Sequence, residues 1–315
     1  MKLHGLRIER YLDEQKNVWD DFVDRSKNGT FLFRRDYMDY HRHRFSDHSL
    51  IVYDEGHVAA LLPANRQGAR IVSHGGLTFG GFLIDDAMTA SRMLAVLTHT
   101  CETLRHDGFE EILLKPVPHI YCRRPAEEFN YAVFRCGGQL YRRDVTTALI
   151  PAQNQRWQER RDRSLKKARA AGVVCRQSED FSAYWEILST NLKESHNLTP
   201  VHTVEEICGL HGAFPRNIKL FCAFLMGEMV AGVLIYDAGR VAHAQYTASS
   251  QGGRACGALD LLFHYLLAEI YPDKPYFDFG VSTENEGLTL NEGLVAFKEG
   301  FGGRTITHDF FRIAL

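Results

Sequence analysis

The chain has 315 residues, of which 45% are hydrophobic and 24% are charged, and its formal net charge is −2. This is the profile of a globular protein long enough for two domains, without the basic surplus that favours binding to long nucleic acid. Its seven cysteines form no CxxC pair, and it contains no run of about 18 apolar residues. We therefore predict reduced thiols, no metal site and no membrane span, in a cytoplasmic protein.

The first half of the chain reads as short helices followed by strands. Amphipathic helices are predicted at 17–25 and 36–44, the segment 49–84 alternates strands and turns, and a helix follows at about 88–107. The segment 49–84 contains the stretch SHGGLTFGG (73–81), which has four glycines. Because glycine weakens a strand, such a run indicates a close approach of backbone or ligand.

The second half repeats this plan. Helices at about 156–171 and 180–194 precede a hairpin, a strand, a glycine-rich stretch, a helix and a strand. EGHVAALLP matches GEMVAGVLI at an offset of 172 residues, and ARIVS matches GRVAH at an offset of 170. Self-similarity in this order indicates a duplicated α/β unit. We predict one domain over 1–149 and a second over 150–315, divided at the polar stretch that contains Pro151.

The glycine-rich stretch of the second half resembles the pyrophosphate loop of the GNAT acyltransferases, which reads roughly Gln/Arg-x-x-Gly-x-Gly/Ala. Here the sequence is QGGRACGA, and Arg254 stands where a glycine is expected. The N-terminus of a helix, predicted here near Ala258, favours an anion, whereas an ordinary glycine turn is the alternative. The resemblance implies that acetyl-CoA binds through Gln251, Gly252, Gly253, Arg254 and Gly257.

Tandem units of this kind, with the ending FDFGVS and LNEGLVAFKEGFGG, resemble the Fem-type (FemAB) branch of GNAT proteins, whose members build peptidoglycan cross-bridges. The chain is more similar to FemAB-related acetyltransferases of bacterial surface-polysaccharide clusters, in NGTFLFRRDYMDYH, DHSL, ALLPAN, SHGGLTFGG and ESHNLTPVHT. The resemblance implies an α/β (α+β) fold of two tandem GNAT-like units, each a mainly antiparallel mixed sheet flanked by helices. It also implies an interdomain cleft, with the acceptor on the first unit and the acyl donor on the second.

Acyl transfer to an amine needs a base, a donor for the developing oxyanion and a protected cleft. Lys298 is the candidate donor, because the lysine of a Phe-Lys-x-x-Phe-Gly pattern is taken in the Fem-type group to stabilise charge on the acyl group. A capping box at Thr289 is predicted to start its helix, and Lys298 lies beside the predicted buried stripe. A solvated lysine is the alternative. The stripe consists of Leu290, Leu294, Phe297 and Phe301.

Three residues are candidates for the base. His74 either faces the acceptor or is hydrogen-bonded to main chain at a bulged strand end. Strand alternation places His243 and Gln245 on one face and Tyr246 on the other. Either His243 or Gln245 then faces the acyl donor, and packing in the core is the alternative for this strand.

Asp278 lies among aromatic residues, and burying an unpaired carboxylate is costly. It is therefore either a base with a raised pKa or the partner of Arg254 or Lys298.

Substrate binding is predicted in two further places. His196 lies near Pro200 in a segment that cannot continue as a regular helix, so we expect it, with Tyr246, to bind the acceptor. A helix exit with polar caps is the alternative. The stretch 156–172 has seven basic residues, and Lys166 and Arg169 either hold a diphosphate or form a solvated helix face.

We expect an N-acyltransferase that moves an acetyl or other short acyl group from acetyl-CoA to the amino group of a nucleotide-linked amino sugar. Attack is expected to be direct, without a metal or a covalent acyl-enzyme. One alternative is aminoacyl transfer from charged tRNA, as in the peptidoglycan members, which the low net charge disfavours. Another is a non-catalytic GNAT-like binding protein, which the departure at Arg254 favours.

Overall fold

The structure, a computed structural model, describes residues 5–153, 156–196 and 198–315. The chain divides into two compact units. The first comprises the described residues up to Val145 together with Thr283–Thr289 and Thr307–Leu315, and the second comprises those of Thr146–Ser282 and Leu290–Ile306. The sequence instead predicted one continuous second domain from residue 150. The chain returns to the first unit because its last strand pairs there, with Phe311 opposite Leu114.

The helices are α1 (Lys16–Arg25), α2 (Arg35–Met38), α3 (Ala90–His106), α4 (Glu128–Arg135), α5 (Glu159–Ala170), α6 (Phe181–His196), α7 (Val204–Ala213), α8 (Gln251–Cys256), α9 (Ala258–Tyr265) and α10 (Glu292–Glu299). The strands are β1 (Leu6–Arg10), β2 (Ser46–Asp47), β3 (Leu50–Asp54), β4 (His57–Leu62), β5 (Asn65–Gln67), β6 (Arg70–Ser73), β7 (Leu83–Ile84), β8 (Glu111–Leu114), β9 (Gln139–Leu149), β10 (Val174–Ser178), β11 (Ile218–Leu225), β12 (Glu228–Asp237), β13 (Val241–Ser249), β14 (Tyr276–Val281), β15 (Thr283–Glu284), β16 (Thr289–Leu290) and β17 (Arg304–Ala314). In the part of the chain that the structure describes, no helix combines the length and apolarity needed to span a bilayer.

The first unit contains two groups of strands. The hairpin β3–β4 is flanked by β1 and β7, whereas β2, β5, β6 and β8 lie side by side. Pro63 separates β4 from β5, and proline cannot donate to a continuing ladder. Helix α3 connects the parallel strands β6 and β8, and its apolar side packs into the core of this unit through Met93, Val96, Leu97 and Leu104.

The second unit has a mixed sheet in which β10, β11, β12 and β13 are antiparallel and β14 is parallel to β13. On one face, Phe263 of α9 belongs to the same buried core cluster as Ile235 of β12 and Ala244 of β13. On the other face, Tyr184 of α6 lies so close to Gly232 that an added Cβ would be 2.4 Å from its ring. Each unit thus has a hairpin, a strand, a helix and a parallel strand in the same order, and the predicted fold class is confirmed.

Candidate functional site

The parallel strands β13 and β14 part in the middle of the second unit. Their ladder pairs Val241 with Tyr276 and ends at His243 opposite Asp278, although β13 continues to Ser249. Beyond the last pair, one edge of β13 presents backbone hydrogen-bonding groups that a ligand can use. The two predicted catalytic residues at this point, His243 and Asp278, are therefore brought together where the sheet opens.

Asp278 is fully buried, and its hydrogen-bond partners include a hydroxyl group, a backbone N–H and a histidine ring. The Thr146 hydroxyl donates to its Oδ1, the backbone N–H of Gly280 donates to the same oxygen at 2.9 Å, and His243 Nδ1 lies 3.2 Å from Oδ2. An ionised carboxylate only accepts hydrogen bonds, so a neutral His243 bonded to ionised Asp278 would carry its proton on Nδ1. This pair can act as a general base, and the sequence chose both residues without pairing them.

Lys298 is buried, with an exposed fraction of 6%, so the interpretation as a solvated lysine is wrong. Its Nζ donates to the carbonyl oxygens of Gly280 at 2.7 Å and Val281 at 2.8 Å, and to the hydroxyl of Ser282 at 2.8 Å. All three ammonium protons are thus directed at the end of β14. Burial lowers the pKa of Lys298 to about 8, and the negative charge of Asp278 opposes this shift.

The helix of Lys298 begins two residues later than the predicted capping box. Thr289 belongs to β16, and the Asn291 side chain caps α10 by accepting from the Leu294 N–H at 3.0 Å. Two of the four stripe residues are exposed, Leu290 at 47% and Leu294 at 37%. The predicted N-cap and half of the stripe are therefore wrong, and Phe297 and Phe301 alone pack into the core.

A β-bulge changes which residues of β13 share a face. His243 lies opposite Tyr236, Ala244 opposite Ile235, and Tyr246 opposite Leu234, so Gln245 is an extra residue. Residues directly opposite each other in a ladder project to the same face. His243 and Tyr246 consequently lie on one face, the face covered by α6, and the prediction that Tyr246 points away from His243 is wrong. The extra residue shifts the alternation by one position.

Tyr246 contacts a histidine to which the sequence assigned no role. Its hydroxyl lies 2.7 Å from His202 Nδ1, and Trp185 Nε1 donates to the carbonyl oxygen of His202 at 3.2 Å. Burial raises the pKa of Tyr246 to about 12, although backbone hydrogen bonds from His202 and Val201 lower this pKa. The segment ESHNLTPVHT, which contains His202, was the only sequence signal for it.

The second predicted acceptor residue, His196, ends α6. Its side chain lies outside the described part of the chain, so its binding role stays a prediction. Among the described residues, no group of three or more His, Cys, Asp or Glu side chains is arranged to hold a metal ion.

The predicted pyrophosphate loop is the short helix α8. Ser250 caps it by accepting from the Gly253 N–H at 3.2 Å, so Gln251–Cys256 is helical, and the predicted helix follows as α9, which begins at Ala258. A Cβ on Gly253 would lie 2.2 Å from the Val230 carbonyl oxygen, so this glycine is needed for packing on β12.

The other residues of the predicted loop have different surroundings. Gly257 has a φ of +80°, and a Cβ on it would lie 2.6 Å from the Ser164 carbonyl oxygen, whereas a Cβ on Gly252 would meet only Ser250 Oγ at 3.9 Å. Arg254 donates to the Ser249 carbonyl oxygen at 2.8 Å and pairs with Glu194 at 3.4 Å. Its predicted pairing with Asp278 is therefore replaced by these contacts.

The basic stretch 156–172 forms helix α5, and its residues differ in exposure. Lys166 and Arg169 are exposed, and Arg169 lies 3.5 Å from His264. Arg161 is instead largely buried and forms an ion pair with Asp260 at 2.8 Å. The exposed side of α5 is a basic surface, as the sequence allowed.

The stretch SHGGLTFGG fills the place in the first unit where β6 and β8 end. Ser73 Oγ accepts hydrogen bonds from the backbone N–H groups of Gly81 and Lys115, both at 3.1 Å, and the Gly80 N–H donates to the Lys115 carbonyl oxygen at 2.6 Å. A Cβ on Gly80 would lie 2.1 Å from the Ser73 carbonyl oxygen. These glycines therefore allow the chain to pass between two strand ends.

His74 itself is buried. Its ring is stacked on that of His41 at 5.4 Å, and its Nδ1 accepts from the Gly76 N–H at 3.2 Å. Burial, with smaller effects of His41, Lys115 and Arg35, lowers the pKa of His74 to about 3. A histidine with such a pKa is a weak base at neutral pH. These contacts fit the alternative of main-chain hydrogen bonding and argue against the predicted base.

Residues 153–287 match the family model described as an acetyltransferase (GNAT) domain, a segment that includes His243 and Asp278 and ends before Lys298. No curated protein matches the sequence significantly. Among solved structures, FemX is similar with a TM-score of 0.68 and 13% identity, over 98% of this chain and 97% of that chain.

Two further structures cover nearly the whole chain. The C-terminal domain of a putative lysylphosphatidylglycerol synthetase from Agrobacterium fabrum has a TM-score of 0.62 and 13% identity, over 95% of this chain and 91% of that chain. A tandem GNAT protein from the clavulanic acid biosynthesis pathway has a TM-score of 0.53 and 14% identity, over 98% of both chains. Residues 153–287 are thus similar to a GNAT acetyltransferase domain, and the chain has a fold similar to those of FemX and a tandem GNAT protein.

Proposed function

We propose that the protein is an N-acyltransferase that moves an acetyl or other short acyl group from acyl-CoA to an amino group. The observation that carries this proposal is the pair His243–Asp278 at the point where β13 and β14 part. The pair would supply a base where the sheet offers backbone groups to a ligand, and the segment that contains it is similar to a GNAT acetyltransferase domain.

The acyl donor is proposed to bind along the open edge of β13, with its pyrophosphate at the N-terminus of α8. The first N–H groups of a helix have no partner within the helix, and the helix dipole favours negative charge there. Gln251 and Gly252 occupy these first positions. Gly253 and Gly257 would then act indirectly, because they let α8 pack closely on its neighbours.

The acceptor is proposed to be a nucleotide-linked amino sugar used in surface polysaccharide synthesis. The resemblance to FemAB-related acetyltransferases supports this choice, as does the exposed basic side of α5, where Lys166 and Arg169 can hold a diphosphate. Tyr246 and His196 are proposed to contact the acceptor.

The proposal is tested by titrating the protein with acetyl-CoA and following thiol release with and without a panel of nucleotide-linked amino sugars. Binding, slow thioester hydrolysis and faster thiol release with one amine are expected. If acetyl-CoA neither binds nor is cleaved, the proposal is refuted.

Aminoacyl transfer from charged tRNA is the second candidate function. The basic surface of α5 favours it, since Lys and Arg side chains neutralise phosphates. Binding of charged tRNA without binding of acetyl-CoA would support this candidate, whereas the absence of both would favour a non-catalytic binding protein.

A further inference from the structure

We propose that Gly280 is a positioning residue whose backbone couples Lys298 to the pair His243–Asp278. This inference rests on the proposed function, in which that pair supplies the base. It gives a role to the glycine of the stretch FDFGVS, to which the sequence assigned none. The geometry that supports it lies entirely within the second unit.

Strand β14 contains an extra residue directly after its last pair with β13. In the ladder with β9, Asp278 lies opposite Ala148, and the next pair is Val281 with Thr146. Three steps along β14 therefore correspond to two steps along β9. An extra residue of this kind is a β-bulge, which bends the strand and disrupts the ladder locally. Gly280 lies in this interval with a φ of +82°, a conformation that glycine adopts without steric cost.

The backbone of Gly280 is hydrogen-bonded to two ionisable side chains, one at each end of the residue. Its N–H donates to Asp278 Oδ1 at 2.9 Å, and its carbonyl oxygen accepts from Lys298 Nζ at 2.7 Å. Hydrogen bonds of this kind are strong when the side chain is ionised. The bulge thus directs both polar groups of one residue towards a carboxylate and an ammonium group, and a shift of either side chain is transmitted to the other.

The ring of His243 lies beside the same glycine. A Cβ on Gly280 would be 3.5 Å from His243 Cε1 and 3.4 Å from the carbonyl oxygen of Ala244, which are ordinary contact distances. The two oxygens of Asp278 are divided between these neighbours, since Oδ2 lies 3.2 Å from His243 Nδ1 and Oδ1 accepts from the Gly280 N–H. A rotation of the carboxylate group would therefore change both contacts together.

The charges of Lys298 and Asp278 support one another. Both side chains are buried, and burying a charge is costly unless another charge or a hydrogen bond compensates. Burial lowers the pKa of Lys298 to about 8, and the negative charge of Asp278 opposes this shift. Because the attraction between two charges is mutual, the ammonium group also favours the ionised carboxylate. An ionised carboxylate is the partner that stabilises His243 when this residue takes a proton.

Two glycine substitutions separate positioning from stability. Gly280→Ala and Gly227→Ala both place a side chain at a left-handed position, with φ of +82° and +87°, and neither added Cβ comes closer than 3.4 Å to another atom. Gly227 lies in the turn between β11 and β12. Both melting temperatures should fall by about 2–8 °C. Turnover should fall about 10- to 100-fold in Gly280→Ala alone, with little change in CoA affinity. Full turnover in Gly280→Ala would overturn the proposal.

The double variant Gly280→Ala/Lys298→Met tests whether the two residues act as one unit. If Gly280 transmits the effect of Lys298, the double variant should be no more than about 3-fold slower than Lys298→Met. Losses that multiply would show independent action and would contradict the coupling. Thioester hydrolysis by water serves as the assay if no amine is accepted.

NMR spectra of the ligand-free protein test the coupling without any reaction. An amide proton bonded to a carboxylate resonates at low field, so Asp278→Asn should move the Gly280 amide signal upfield. Lys298→Met should shift this signal and also the ring signals of His243, whereas Gly227→Ala should shift neither. Unchanged ring signals of His243 in Lys298→Met would overturn the inference, whether or not the protein acylates an amine. Complete absence of thioester cleavage in the unmodified protein would refute the proposed function instead.

Discussion

The ammonium nitrogen of Lys298 lies 2.7 Å from the carbonyl oxygen of Gly280, two residues beyond the buried carboxylate of Asp278. With its bonds to Val281 and Ser282, Lys298 holds the end of β14 in place. Lys298 therefore acts on the candidate site by fixing the strand that carries Asp278. A direct contact between its ammonium group and the acyl group would require one of its three hydrogen bonds, to Gly280, Val281 or Ser282, to break.

The Lys298→Met variant should be less stable and slower. Each hydrogen bond from a charged donor contributes about 1.5–3 kcal/mol to the stability of the folded protein. Buried acceptors that lose their donor destabilise it further. We expect a loss of about 2–3 kcal/mol in the free energy of unfolding, measured by denaturant titration, and about a 100-fold loss in turnover with little change in CoA affinity. The Lys166→Met variant, on the exposed side of α5, is the control for the loss of stability only. A rise in KM for CoA with turnover intact would mean that Lys298 holds a donor phosphate.

The stability of the protein should depend on pH through Lys298. Its pKa is about 8 in the folded protein and that of an unfolded lysine is about 10.4. Between these values the unfolded chain binds more protons, so the free energy of unfolding should rise with pH from about 8 to about 10.4. The contribution is fully present above the unfolded pKa and is lost as the pH falls through 8. Denaturant titrations of the unmodified protein and of Lys298→Met should differ in slope over this range, and parallel curves would contradict the shifted pKa.

The donor site can be tested at Gly252, where an added side chain meets no close atom. A Gly252→Asp variant places negative charge at the N-terminus of α8, which suits the helix dipole but repels a pyrophosphate. We expect at least a 10-fold weaker affinity for CoA, measured by calorimetry, with an unchanged melting temperature. Gly209→Asp is the matched control, because Gly209 in α7 is equally open. Normal CoA binding by Gly252→Asp would show that the N-terminus of α8 does not bind the pyrophosphate.

His74 should make the protein sensitive to acid without taking part in proton transfer. Its pKa is about 3 in the folded protein, below about 6.5 in the unfolded chain. The unfolded chain therefore binds more protons between these values, and the stability present above pH 6.5 is lost as the pH falls towards 3. The His74→Gln variant should show a smaller loss of stability over this range in chemical denaturation. A variant as acid-sensitive as the unmodified protein would contradict the lowered pKa.

Local patterns in the sequence predicted the helices well. The helices predicted at about 88–107, 156–171 and 180–194 are α3, α5 and α6, because each has an apolar face and a clear end. The structure brings His243 and Asp278, two of the predicted catalytic residues, together where β13 and β14 part, and their role as a base stays a prediction. Their pairing was not predicted, since it depends on the register of two strands joined through α8 and α9.

The errors arose where a single residue decides the geometry. Gln245 adds one residue to β13 and moves Tyr246 to the face of His243, and strict alternation cannot anticipate such an insertion. Ser250 caps α8 and converts a presumed glycine loop into a helix. In both cases the deciding contact joins segments distant in sequence or depends on backbone geometry that composition does not encode.

Gly80 and Gly81 pass between the ends of β6 and β8, and this bears on how many acyl-donor molecules one chain can bind. In the second unit the corresponding parallel strands part and leave an open edge, whereas in the first unit the chain's own backbone is hydrogen-bonded to both strand ends. A thioester could lie there only by displacing that backbone. If the acyl donor binds along β13 as proposed, the ends of β6 and β8 do not offer a second edge of this kind, and we expect one equivalent of acyl donor to saturate the protein.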